Sequence, residues 1–185
     1  MRCTVVGAGV SGLSCAVRLL EAGHDVKIIS DRFSPDTVSD VAAAIWYPFL
    51  TAPADRAETW GLVTYAELER LAKENPESGV RMRDGREYLR QVVEPPAWGD
   101  DIAAFGILDQ GDIPAGYVFV CQIRPPVIEM QLYMPWLRSR VESLGGTFRQ
   151  SFVEDLSKVP GEVVVNCVGC LLYTSDAADD SLRVD

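Results

Sequence analysis

This sequence is short of histidine and of positive charge: one histidine, His24, and 17 Lys and Arg against 27 Asp and Glu, for a formal net charge of −10 over 185 residues. With His24 alone in a Gly23-His24-Asp25 turn, a Ser-His-Asp or Cys-His mechanism has no base around which to assemble. The acidic balance argues against non-specific binding to nucleic acid or to an anionic membrane surface, both of which need a basic face. A small neutral or zwitterionic substrate suits it better. No apolar run is long enough to span a bilayer. Met1 and Arg2 lead directly into Cys3-Thr4-Val5-Val6 and a glycine-rich turn, which is no leader peptide, so the expected compartment is the cytoplasm. A peroxisomal address, read at a C-terminus, stays open. Internal repeats and low-complexity linkers are missing as well. The five cysteines are odd in number, and three sit inside apolar runs, so they read as reduced thiols. Cys167 and Cys170 form a C-x-x-C without a second pair or a nearby His, and no metal site is expected.

What is present is apolar material, 48% of the residues, enough for one core and part of a second lobe. The opening reads as β-α-β, with strands over Cys3 to Val6 and Val26 to Ser30 around a helix over Ser11 to Ala22. Gly23 stands where a helix C-terminal glycine would. A second helix is predicted over Thr59 to Lys73 and a third over Leu132 to Leu144, the latter ended by Gly145-Gly146. Between Val80 and Val120, short strand-like runs broken by Pro95-Pro96, Gly99 and Gly111 have the composition of an inserted β-rich lobe. Strands are then expected over Thr147 to Phe152 and Val163 to Cys167, the last a continuous apolar run suited to the middle of a parallel sheet. The predicted fold class is α/β, a Rossmann-like domain with part of a β-rich lobe inserted.

Gly7-Ala8-Gly9-Val10-Ser11-Gly12 follows a predicted strand and opens a predicted helix, the context that gives a G-x-G-x-x-G its meaning. Gly7 allows the tight turn, Gly9 lets the main chain approach a pyrophosphate, and Gly12 lets helix and strand pack closely. A pyrophosphate would rest on unpaired N–H groups at the positive end of the helix dipole. About twenty residues on stands Asp31, an acid placed to accept from ribose hydroxyls and to repel a 2′-phosphate. The turn does not separate FAD from NAD, which share the ADP half.

The stretch from Asp31-Arg32-Phe33-Ser34-Pro35 through Asp40-Val41-Ala42-Ala43-Ala44-Ile45-Trp46-Tyr47-Pro48-Phe49 resembles the D-amino acid oxidase and D-aspartate oxidase family. So do Tyr133-Met134-Pro135-Trp136-Leu137, Phe152-Val153-Glu154 and Asn166-Cys167-Val168-Gly169, and the resemblance covers roughly residues 2 to 169. It implies FAD as cofactor. Gly7, Ala8, Gly9, Val10, Ser11 and Gly12 would hold the pyrophosphate, and Asp31 and Arg32 the ribose and adenine end. Thr37, Val38 and Ser39 would border the ribityl chain, and Ala43, Ala44 and Ile45 the isoalloxazine ring. Val153 would meet the adenine through its backbone, and Gly169 would close the later turn against the cofactor. Ile45, Tyr47 and Phe49 would lie near the substrate pocket, although bulk alone would also suit Phe49 to a core. Val38 departs from the family's usual hydroxyl residue, and Ala44 stands where glycine is common.

The resemblance divides the chain into a FAD-binding βαβ with flavin loop (1–75), part of a β-rich substrate lobe (76–130), a return to the FAD-binding domain (131–169) and a segment (170–185) that reads as non-native. It implies oxidative deamination of a D-amino acid, O2 being reduced to H2O2, with the catalytic residues later in sequence than Gly169. The net negative charge disfavours an acidic substrate such as D-aspartate. A homodimer is left open, as are a non-catalytic dinucleotide-binding fragment and a related glycine or amine oxidase.

Overall fold

The computed structural model describes residues 1–48, 52–102, 105–108 and 113–169. In chain order the elements are β1 (Arg2–Val6), α1 (Val10–Glu21), β2 (Asp25–Ser30), β3 (Ala44–Ile45), α2 (Ala54–Glu74), β4 (Val80–Met82), β5 (Gly85–Leu89), β6 (Gly106–Ile107), β7 (Phe119–Ile123), β8 (Pro126–Ile128), α3 (Met130–Ser143), β9 (Thr147–Gln150) and β10 (Val163–Asn166). They fall into two compact units, Met1–Ala42 with Met130–Asp185, and Ala43–Glu129.

The first unit is built on a parallel sheet of order β10-β1-β2-β9. Its register runs Cys3 beside Val163 and Val26, and Ile28 beside Phe148. Val5, Val26 and Ile28 are fully buried, as are Met134 and Val141 of α3, which packs on α1. Each such side chain contributes about 1.5–3 kcal/mol by leaving water. Both helices end the same way. Gly23 and Gly145 take left-handed backbone (φ +79° and +88°). The N–H groups of Gly23 and His24 return to the carbonyls of Leu20 and Leu19, and those of Gly145 and Gly146 to Glu142 and Val141. This is the glycine-ended cap that satisfies the last helical carbonyls and turns the chain into a strand. Phe33 and Phe148 meet edge to face at 5.7 Å, with the Arg138 guanidinium 4.8 Å from the Phe148 ring centre.

Two expectations shift here. The strand after α3 ends at Gln150, leaving Phe152 exposed. β10 is a terminal strand of the sheet among the described residues, with Val163 37% exposed, where the sequence suggested a central one. A β-branched run favours a pleated backbone wherever it lies, and carries no count of neighbouring strands.

The second unit is antiparallel, with one sheet of order β3-β8-β4 and another of order β5-β7-β6. α2 packs on β4 and β8, and so belongs with this unit and not with the first βαβ. It begins five residues ahead of the predicted Thr59, because the polar Asp55, Arg56 and Glu58 of its first turns hide the periodicity. The core is aromatic: Trp46 meets Tyr65 at 5.0 Å and Trp98 at 5.3 Å, and Trp98 meets Phe105 at 5.6 Å, all edge to face. The Trp46 indole N–H donates to the Gly61 carbonyl at 2.9 Å, so the buried ring keeps its polar bond.

Candidate functional site

The glycine turn sits at the carboxyl ends of β1 and β2, where open parallel sheets bind ligands. Its three glycines are needed for three different reasons. Gly7 has φ +107°, and a Cβ there would lie 2.3 Å from the Cys167 carbonyl oxygen. A Cβ on Gly12 would lie 2.0 Å from the Gly7 oxygen, so helix and strand touch backbone to backbone. Among the described residues, a Cβ on Gly9 would meet nothing but the Ser39 hydroxyl, at 3.0 Å. Gly7 and Gly12 therefore satisfy the fold, whereas Gly9 leaves a bare stretch of main chain facing a single hydroxyl.

α1 starts from that stretch with Gly9 at its N-cap, no side chain of the cap residue to close it and no acid in its first turn. The Val10 N–H donates to Ser39 Oγ at 3.0 Å. A helix start whose own cap residue has no side chain, with no acid in its first turn and one displaceable hydroxyl on its first N–H, is a cradle for an anion, and the residues present fit the pyrophosphate of a dinucleotide. Ala8 is buried in the core, so any part it plays is through its backbone; Ser11 is exposed.

Asp31 follows β2 directly and is half-exposed, paired with Arg32 at 3.4 Å. Gln150 Nε2 donates to the Asp31 carbonyl at 3.0 Å, and Ser30 Oγ to the Arg32 carbonyl at 2.6 Å, so backbone contacts fix both residues while their charged ends face water. Val153 is half-buried just past β9, and Gly169 takes left-handed backbone (φ +65°) after β10.

Between Ser34 and Val41 the chain is fastened from inside by Asp40, which is buried. Its carboxylate accepts from Ser34 Oγ at 2.5 Å, Thr37 Oγ1 at 2.6 Å and the Thr37 N–H at 3.0 Å. Burial alone would push this carboxyl up, but the hydrogen bonds from Ser34 and Thr37 outweigh it and hold it below the usual aspartate value. Thr37 is thus committed inward and Ser39 to the glycine turn, while Val38 and Val41 stand 82% and 83% exposed. Large apolar side chains this open do not serve packing. The sequence reading gave Asp40 no role, although Thr37-x-x-Asp40 is a capping-box spacing and was there to be read.

In the second unit, Ala44 and Ile45 pair with Ile128 and Val127 of β8; Ala43 is exposed, Ala44 half-buried and Ile45 57% exposed. Tyr47 stands with its ring edge-on to Trp98 at 5.7 Å and its hydroxyl donated to Glu87 Oε2 at 2.7 Å. Burial first, then the Glu87 carboxylate, push its phenol well above the ordinary tyrosine value. Phe49 lies outside the described residues. Glu87 was missed in the sequence: a lone acid in a short strand, 40 residues from its partner, gives no local signal.

The other groups are quieter. Burial and the neighbouring Cys15 push the Cys167 thiol up, which disfavours the thiolate that a nucleophile or metal ligand needs. Among the described residues no group of three or more His, Cys, Asp or Glu could hold a metal ion, and no helix is long and apolar enough to cross a membrane. A cavity of about 660 Å³ beside α2 is lined by Leu62, Tyr65, Glu69, Lys73, Arg81 and Arg124 among others, and none of the expected site residues lines it.

Comparison with known proteins bears on the family and the fold. Residues 2–179 match the family described as FAD dependent oxidoreductase, a match that runs past Gly169 into the segment the sequence reading set apart. A D-amino-acid oxidase of Rubrobacter xylanophilus is 37% identical over 175 residues, covering 91% of this chain and 52% of that protein. The human D-aspartate oxidase is 34% identical, covering 97% and 56%. The chain spans about half the length of the curated relatives it matches. Among solved structures, L-proline dehydrogenase from P. horikoshii superposes with a TM-score of 0.69 at 12% identity, over 100% of this chain and 56% of that one. Iminodiacetate oxidase from Chelativorans sp. BNC1 gives 0.63 at 17%, over 95% and 57%. At such identities these two speak for the fold alone. With a family match over residues 2–179, nearly its whole length, this chain belongs to the FAD-dependent oxidoreductase family.

Proposed function

We propose that this chain is the front portion of a flavoenzyme that oxidises D-amino acids to imino acids, with O2 accepting the electrons and H2O2 released. The observation that carries the cofactor half is the bare main chain at Gly9 beside the open start of α1. The curated relatives of about one-third identity named D-amino-acid oxidase and D-aspartate oxidase support the substrate half.

When bound, FAD supplies the acceptor for the hydride that leaves the substrate α-carbon; the protein supplies binding and orientation. The N–H groups of the Gly9–Gly12 turn would receive the pyrophosphate, replacing or joining the Ser39 hydroxyl now on Val10. The Asp31 carboxylate would accept from the ribose hydroxyls, and Arg32 and the backbone at Val153 would border the adenine. Thr37, Val38, Ser39, Ala43, Ala44 and Ile45 would flank the ribityl and flavin end, which accounts for exposed apolar side chains at Val38 and Ile45. Tyr47 and Ile45 would face the substrate.

The experiment is to produce the protein at the length of its relatives and identify the cofactor released on heating, then mix the holoprotein anaerobically with D- and L-alanine. The expected outcome is a yellow protein that releases FAD and is bleached by the D isomer only. Release of FMN or NAD, or bleaching by neither isomer, would overturn the reading. Bound FAD without bleaching by any D-amino acid would leave a dinucleotide-binding module in place of an oxidase.

A further inference from the structure

We propose that Glu87 is a specificity-determining residue for the substrate side chain, selecting a cationic end over a neutral one of the same shape and over a carboxylate; this rests on the functional reading above.

Three observations within the second unit carry it. First, Glu87 is half-exposed and, among the described residues, has no cation within ion-pair distance, so its charge is neither neutralised nor fully given to water. Second, Tyr47, one of the residues expected at the substrate, donates its only proton to Glu87 Oε2 at 2.7 Å. That bond fixes the carboxylate in direction while Oε1 keeps its acceptor capacity for another donor. Third, the surroundings are ring faces and edges: Tyr47 lies against Trp98, and Trp98 against Phe105. Glu87 stands opposite Cys121 in the β5–β7 pair, a thiol held neutral by burial and by Glu87 itself.

A fixed carboxylate beside aromatic rings is complementary to an ammonium or guanidinium group. The carboxylate gives a charge-assisted hydrogen bond and the rings present their negative faces. The same arrangement repels a side-chain carboxylate, which would bring two like charges together in a partly desolvated place. A neutral isostere gains neither effect, and leaves the carboxylate with a weaker partner than water.

The test uses the holoprotein at the length of its relatives, as wild type, Glu87→Gln and Tyr47→Phe, on two matched substrate pairs. D-ornithine and D-norleucine differ in an ammonium against a methyl group, and D-glutamate and D-glutamine in charge alone. In Glu87→Gln the kcat/KM ratio of D-ornithine to D-norleucine should fall about tenfold, the scale of one charge-assisted bond at a partly exposed site. The ratio of D-glutamate to D-glutamine should rise. Tyr47→Phe, which keeps the charge and removes its tether, should move both ratios in the same directions by a smaller factor. General damage lowers both members of a pair together and cannot move the two ratios in opposite senses. Unchanged ratios in a Glu87→Gln protein whose flavin D-alanine still bleaches would overturn this inference and leave the oxidase standing. A wild type bleached by no D-amino acid would remove the oxidase first and the inference with it.

Discussion

The two units offer a ligand different kinds of atom. In the first, parallel strands run into helix starts, so what faces a ligand is main chain: Gly9 has no side chain, and the Val10 N–H rests on a single hydroxyl, Ser39 Oγ. In the second, antiparallel ladders absorb the backbone groups, and what remains to offer is side chains: the Tyr47 hydroxyl, the Glu87 carboxylate and the rings about Trp98. Parallel topology places amides and antiparallel topology places functional groups. One consequence is that the first unit should break when atoms are added and the second when atoms are removed.

The sharpest test of that asymmetry is Gly12→Ala. One methyl group would lie 2.0 Å from the Gly7 oxygen; the Cβ is placed by the main chain and the oxygen is backbone, so no side-chain rotation can relieve the clash. The cost should exceed about 4 kcal/mol, and the expected result is a protein with no cooperative unfolding transition by circular dichroism. The second unit should answer to deletion. Trp98→Ala empties the centre of a cluster that touches Trp46, Tyr47 and Phe105, and should cost about 3–5 kcal/mol in a urea titration. A near-neutral Trp98→Ala would mean that the aromatic cluster does not carry the second core.

Gly9→Val separates ligand binding from folding within one turn. Its Cβ meets a single hydroxyl, so the thermal midpoint of the apoprotein should hold, while FAD affinity drops by about 2–4 kcal/mol as charged hydrogen bonds are lost. Equal affinity by calorimetric titration would reduce the whole turn to a packing device. The smallest effect concerns Asp40. Its carboxyl is held below the usual value of 3.8, so the stability it brings is complete at neutral pH and lost as pH falls through its lowered folded-state value. Asp40→Asn should cost about 1–2 kcal/mol at pH 7, and the gap between its melting temperature and the wild type's should narrow as pH falls below 3.8.

How much of this was legible follows the same division. The β1-α1-β2 turn could be read because each of its signals is local: Gly7, Gly9 and Gly12 within six positions, Gly23 just past the helix, Asp31 at the end of the next strand. What the sequence hid is non-local. Asp40 is the halfway case: its capping-box spacing to Thr37 is local and readable, whereas its bond to Ser34 shows only once the chain has turned back on itself. Glu87 finds Tyr47 across 40 residues that include α2 and β4, and nothing in Arg86-Glu87-Tyr88 marks it. α2 has the periodicity of a helix but no mark of which core it serves, and its place on β4 and β8 is decided by tertiary packing.

The fastening of Asp40 also bears on how fast the apoprotein captures its cofactor. Because the segment from Ser34 to Val41 is already tied by three hydrogen bonds to one buried carboxylate, FAD bound as proposed along Thr37 to Ser39 would meet an ordered segment and need not wait for a loop to order. Association should then be a single exponential whose rate rises linearly with FAD concentration, without the plateau that a slow ordering step imposes. Cutting the fastening with Asp40→Asn should introduce that plateau while leaving the glycine turn untouched.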